Sequence, residues 1–187
     1  HGRIFIIDLM GHKAGWLTLQ AGVAGGADII LVPEIPYNLE SIVEAIRGRS
    51  AARKRFSIIA MAEGARSQDE MAMSKKDLAR INEQWPSVSY KLAAELQDAV
   101  DQEVRVTVPG HFQRGGTPCA YDRVLATRCG GKAAELIIEG QFGYMIAVQD
   151  NVMTTVPLDQ VAGRLKTIPR DNDIVRFSRK IGRASCR

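Results

Sequence analysis

Apolar residues follow two rhythms along this chain. Short, nearly unbroken runs occur at Arg3 to Leu9 (Arg-Ile-Phe-Ile-Ile-Asp-Leu), Ile29 to Val32 and Ser57 to Ala62. Runs of this length and β-branched content predict strands buried on both faces of a parallel sheet. Between them the spacing turns helical. Trp16 to Ala24 closes on Gly25-Gly26, and Leu39, Ile42, Val43 and Ile46 recur about one turn apart. Asn38 or Ser41 suits the cap of that second helix, which is expected to end near Arg47 and give way to a basic turn, Arg47 to Arg55.

Beyond Ala62 the pattern loosens. Ser67 to Lys76 is polar and methionine-containing and predicts a loop; Lys76 to Glu83 and Ser89 to Val100 predict helices on either side of Trp85-Pro86. Arg105-Val106-Thr107-Val108 predicts a strand that runs on toward His111. Tyr121 to Glu139 predicts a long helix with a possible bend at Gly130-Gly131. Gly143 to Val148 predicts a short strand, Leu158 to Leu165 a helix and the tail a weak helix. Strands alternating with helices through short connections imply an α/β fold with a parallel sheet and right-handed crossovers.

Ligands of such sheets bind beyond the carboxyl ends of the strands. Here those ends carry Met10-Gly11-His12, Glu63 and His111-Phe112-Gln113-Arg114. A guanidinium and an imidazole on a glycine-flanked turn make a receiver for phosphate, although a solvated basic loop has the same composition. Neither Gly-x-x-x-x-Gly-Lys-Ser nor Gly-x-Gly-x-x-Gly occurs, so a complete nucleotide site is not expected.

Composition narrows the function classes. The 187 residues are 45% hydrophobic and 25% charged, which suits a globular chain and excludes a disordered one. No apolar run approaches the roughly 18 residues of a membrane span, and no basic-then-apolar leader is visible, so a cytoplasmic protein without a membrane partner is expected. The net charge of +4 is scattered among acids with only 6% aromatics, which argues for small anions and against nucleic acid. Cys119, Cys129 and Cys186 have no metal-ligand spacing and read as reduced thiols; no metal site is expected from this chain. A start at His1 without methionine and a basic close, Arg183-Ala184-Ser185-Cys186-Arg187, read as a piece of a longer chain.

Four blocks carry a family resemblance: Met10-Gly11-His12-x-Ala14-Gly15, Pro33-Glu34, Ala62-Glu63-Gly64, and Gly110-His111-Phe112-Gln113-Arg114-Gly115-Gly116-Thr117-Pro118-x-x-Tyr121-Asp122-Arg123. In order and in most spacings they resemble the carboxyl-terminal part of the 6-phosphofructokinases, ATP- or pyrophosphate-dependent, from about Arg3 to Val148. The resemblance implies a three-layer, Rossmann-like sandwich with a mainly parallel sheet, incomplete at its amino-terminal side. Residues 1–112 would be the fructose 6-phosphate-binding α/β domain, and residues 113–187 a helical return completing the donor domain.

It further implies phosphoryl transfer to the 1-hydroxyl of fructose 6-phosphate, giving fructose 1,6-bisphosphate in glycolysis, by a Mg2+-dependent homo-oligomer. Carried over residue by residue, the sugar-phosphate contacts are Met10, Gly11, His12, Glu63, His111, Phe112, Gln113 and Arg114. Arg3 and Arg105 would reach the 6-phosphate of the neighbouring subunit. No catalytic base falls within the chain: the block that bears it, and the glycine-rich loops for ATP or pyrophosphate with Mg2+, are expected upstream of His1. The chain alone is therefore expected to be inactive, the alternative being a non-catalytic sugar-phosphate-binding or regulatory module. Two positions depart from the family. His12 stands where arginine is usual, replacing a permanent cation with one that titrates, and Pro109 stands where leucine is usual, removing a backbone donor.

Overall fold

The three unbroken apolar runs become β1 (Arg3–Leu9), β2 (Ile29–Leu31) and β3 (Ser57–Ala62), and β4 (Glu103–Thr107) follows. In this computed structural model, which describes residues 2–180 and 184–185, the strands form one parallel sheet in the order β4-β1-β3-β2, with Ala184–Ser185 on the β2 edge. β1 and β3 end level, Leu9 beside Ala62, whereas β4 reaches only as far as Thr107 beside Ile7.

Helices join them: α1 (Trp16–Ala24), α2 (Leu39–Ala51), α3 (Gln68–Met71), α4 (Lys75–Asn82) and α5 (Val88–Ala99). Side chains alternate along a strand, so the sheet builds two cores. Ile4, Ile6, Ile29, Leu31, Ile59 and Met61 face Ile42 and Ile46 of α2 and Leu92 and Leu96 of α5. Ile30, Val32 and Ala60 face the other way, against Leu19 of α1 and, from the end of the chain, Ile168 and Val175. Each large side chain buried this way contributes about 1.5–3 kcal/mol relative to exposure. This is the three-layer α/β sandwich expected from the sequence.

Several local expectations need correction. α2 continues to Ala51, so Arg47 and Arg49 lie on a helix and not in a turn. Arg49 pairs with Asp28 at 2.7 Å and donates to Ser57 Oγ and the Phe56 carbonyl, which fastens the helix end. The stretch from Ser67 is not a loop. Ser67 and Glu70 form a capping box that starts α3, and Ser74 caps α4. The strand before His111 stops at Thr107, and Gly110–Arg114 forms a 3-10 turn.

The sequence places one boundary after Phe112. In the structure the first compact unit runs to Gln113 and resumes at Lys166, because Ile168 and Val175 bury in its second core; Arg114–Leu165 is a separate unit. That second unit holds α6 (Ala120–Ile138), the antiparallel hairpin β5 (Tyr144–Gln149) and β6 (Val152–Pro157), and α7 (Leu158–Val161). Gly130-Gly131 does not interrupt α6. The hairpin turns at Asp150-Asn151, both with positive φ, and Arg128 donates to the Asn151 side chain and carbonyl at 3.1 and 2.6 Å. α7 is shorter than expected, and its chain turns at Gly163 with φ 74°. The helical tail is α8 (Asp173–Lys180), with Val175 and Ser178 buried. The expectation of continued helix at 181–183 and 186–187 lies outside the described residues.

Candidate functional site

The chain leaves β1 toward β2 through α1 on one face, and leaves β3 toward β4 through α5 on the other. Connections that diverge from neighbouring strands open a crevice at their carboxyl ends. The loop from Met10 to Gly15 occupies that position, and it is clamped from both sides.

Glu63 follows β3 directly. Its N–H donates to the Leu9 carbonyl at 2.9 Å, and its Oε1 accepts from the N–H of Gly11 at 3.1 Å and of His12 at 2.6 Å. On the β4 side, Gln113 Oε1 accepts from Met10 N–H at 3.0 Å while its Nε2 donates to the Gly110 carbonyl at 3.3 Å. Three strand ends are thereby stitched through backbone donors, each bond worth about 0.5–1.5 kcal/mol and more where the acceptor is ionised. His12 adopts φ 54°, a left-handed conformation in which histidine is enriched. Gly64 makes the close approach possible, since a Cβ there would lie 2.0 Å from the His12 carbonyl oxygen.

The expected site residues divide as follows. Met10, Gly11, His12, Glu63 and Gln113 are brought together by these bonds. His111 and Phe112 sit on the same 3-10 turn as Gln113 and are exposed, Phe112 at 91%. Arg114 closes that turn, is exposed, and opens the second unit. The family resemblance counts Glu63 among the sugar-phosphate contacts. Its Oε1 is engaged by backbone, and among the described residues no protein group donates to Oε2.

Arg3 and Arg105 project from β1 and β4 on the face opposite Ile4 and Ile6, with Arg3 in register with Glu103. Both guanidiniums converge on Glu103: Arg3 Nε at 2.5 Å, Arg105 Nε and Nη2 at 2.7 Å. Two cations on one carboxylate leave a net positive charge, half open to solvent and suited to a phosphate. The sequence reading missed Glu103, although Glu103-x-Arg105 on one strand face was the available signal.

Hydrogen bonds from Arg3 and then Arg105 hold the Glu103 carboxyl below its ordinary 4.5. The folded value is the lower one, so this cluster is intact above the unfolded value and comes apart as pH falls through the lowered one. A carbon-detected NMR titration is expected to place the Glu103 midpoint below 4.5; a midpoint at or above it would contradict the cluster.

The family model described as phosphofructokinase matches residues 1–137 of this chain. The ATP-dependent 6-phosphofructokinase of Spirochaeta thermophila is 48% identical over 184 residues, which is 97% of this chain and 50% of that protein. The crystal structure of Pichia pastoris phosphofructokinase in the T-state matches 86% of this chain and 17% of its own, with a TM-score of 0.63 and 36% identity. The pyrophosphate-dependent phosphofructokinase of Marinobacter aquaeolei, 23% identical, shares the fold over 93% of this chain and 44% of its own at a TM-score of 0.68. The chain spans about half the length of the curated relatives it matches. No helix among the described residues is long and apolar enough to cross a membrane. Since the matched stretch contains β1 to β4, the Met10–Gly15 loop and both of its clamps, the chain belongs to the phosphofructokinase family.

Proposed function

We propose that this chain supplies the acceptor side of a cytoplasmic 6-phosphofructokinase, which phosphorylates the 1-hydroxyl of fructose 6-phosphate to give fructose 1,6-bisphosphate in glycolysis. The observation that carries the reading is the Met10–His12 loop held at the sheet's switch point by Glu63 and Gln113. In this reading Met10, Gly11, His12, Glu63, His111, Phe112, Gln113 and Arg114 receive the sugar phosphate. Arg3 and Arg105 serve the 6-phosphate of a neighbouring subunit in a homo-oligomer. A phosphate dianion is held by several charge-assisted donors, each worth about 1.5–3 kcal/mol, and the arginine pair around Glu103 offers such donors.

Phosphoryl transfer asks little covalent chemistry of the protein and much positioning. The sugar C1 oxygen attacks the terminal phosphorus of the donor, its proton passes to a base, and the remainder of the donor leaves. The base and the donor loops belong to the other half of the enzyme. In this reading Mg2+ would neutralise charge on the transferring group and would be held together with the donor loops. The donor is ATP by likeness to the Spirochaeta thermophila relative. The second unit is proposed to complete the donor half, and its exposed Tyr121, Val124, Ile137, Ile138, Phe142 and Val152 support this.

Co-expression of the 187-residue chain with the amino-terminal half of the Spirochaeta thermophila relative tests the reading. The pair is expected to form fructose 1,6-bisphosphate from fructose 6-phosphate with Mg-ATP, and the chain alone to form none. Turnover by the chain alone contradicts the proposal. An assembled pair that binds fructose 6-phosphate without turnover supports a non-catalytic module instead.

A further inference from the structure

Past β2, Glu34 places a half-buried carboxylate against the far end of the substrate loop. Oε1 accepts from Gly15 N–H at 3.0 Å and from Ile168 N–H at 2.9 Å, and Oε2 accepts from Gly15 N–H at 3.2 Å. Gly15 is buried, and a Cβ there would come within 2.5 Å of Val32 Cβ and 2.9 Å of Glu34 Oε2, so loop and carboxylate approach as closely as glycine permits. Next to it, Trp16 Nε1 donates to the Lys166 carbonyl at 2.9 Å, and Lys166 Nζ stands 5.8 Å from the centre of the Trp16 ring. Ile168 is 3% exposed within the core that α1 covers. One carboxylate therefore joins the end of the Met10–Gly15 loop to a strap, Lys166–Ile168, that rejoins this unit after the excursion through Arg114–Leu165.

We infer that Glu34 is a positioning residue for fructose 6-phosphate binding, with the Lys166–Ile168 strap as its second anchor. The inference rests on the acceptor-site reading above. Glu63 and Gln113 fix the start of the loop, and Glu34 fixes its end. A short loop pinned at both ends is pre-organised, and one pinned at a single end must be ordered by its ligand. Glu34 thus acts on affinity through Gly15 without touching the sugar, and residues beyond Leu165 act on it through Glu34. Both oxygens are used, so an amide, with one acceptor oxygen, preserves only part of the arrangement.

Amide hydrogen exchange on the whole chain tests the anchoring. Glu34→Ala is expected to speed exchange at Gly11, His12, Gly15 and Ile168 about tenfold or more, because local opening becomes easier. Glu34→Gln is expected to fall between it and the wild type. In the co-expressed pair, Glu34→Ala is expected to raise KM for fructose 6-phosphate about tenfold with kcat within about twofold, the mark of lost ground-state positioning. A folded Glu34→Ala chain with unchanged exchange at Gly11 and His12 overturns the inference. If that variant does not fold, Glu34→Gln and Trp16→Phe decide by the same readout, and unchanged exchange in both overturns it. A wild-type pair without sugar-dependent turnover overturns the acceptor-site reading, while the exchange result still judges the anchoring.

Discussion

Replacing Lys91 with alanine is expected to cost about 3–5 kcal/mol of unfolding free energy, because it strands a buried carboxylate. Glu70 is 4% exposed; Lys91 Nζ lies 2.5 Å from its Oε1 and 3.4 Å from Glu95 Oε1. Glu70 Oε2 meanwhile accepts from Ser67 N–H at 2.7 Å to complete the capping box. The ammonium therefore holds the segment that runs directly on from Glu63. Substituting both partners with apolar residues of similar volume is expected to be far milder, since no charge is left unpaired.

Burial pulls the Lys91 pKa down, but the hydrogen bond to Glu70 and the charges of Glu95 and Glu70 outweigh it, leaving it above its ordinary 10.5. The folded value is the higher one. The pair's stabilisation is thus complete below pH 10.5 and disappears as pH climbs through the raised value. Urea unfolding at neutral pH and in the alkaline range measures both effects. A Lys91→Ala chain within about 1 kcal/mol of wild type at neutral pH would remove the buried pair from the account.

Gly64→Ala is expected to destabilise by about 1–3 kcal/mol, the range of forced overpacking, and to harm the site more than the fold. The added methyl would stand 2.0 Å from the His12 carbonyl oxygen and 3.2 Å from Pro33 Cγ. A backbone atom cannot rotate away as a side-chain end can, so the loop must move. His12 N–H would leave Glu63 Oε1, and in the co-expressed pair KM for fructose 6-phosphate is expected to rise up to about a hundredfold. The urea midpoint and the exchange rate of the His12 amide report the two parts separately. An alanine variant with wild-type exchange at His12 would show that the contact is not what shapes the loop.

The fold was legible where burial leaves no choice of residue type. β2 and β3 are buried at nearly every position and β1 is buried or partly buried throughout, so each reads as a continuous apolar run. β4 lies at the edge, and its exposed Glu103, Arg105 and Thr107 alternate with Val104 and Val106, a weaker signal that blurred its ends. β6 was missed because Val152-Met153-Thr154-Thr155-Val156-Pro157 has no fully buried position to mark a face. α3 is too short for any helical period to emerge, although Ser67-x-x-Glu70 announced its cap.

In the site, the residue types were visible and their division of labour was not. Met10, Gly11, His12 and Glu63 stood out as strand-end residues. That Glu63 also holds backbone depends on Leu9 ending beside Ala62, which no local pattern encodes. The contacts of Glu103 and Glu34 were hidden by distance along the chain. Their partners Arg3 and Ile168 lie 100 and 134 residues away in sequence.

The bonds that shape the Met10–His12 segment all use amide hydrogens, which every residue except proline possesses. The pocket's frame is thus indifferent to what hangs from position 12, provided the side chain tolerates a left-handed backbone. An arginine at that position would meet the same three bonds.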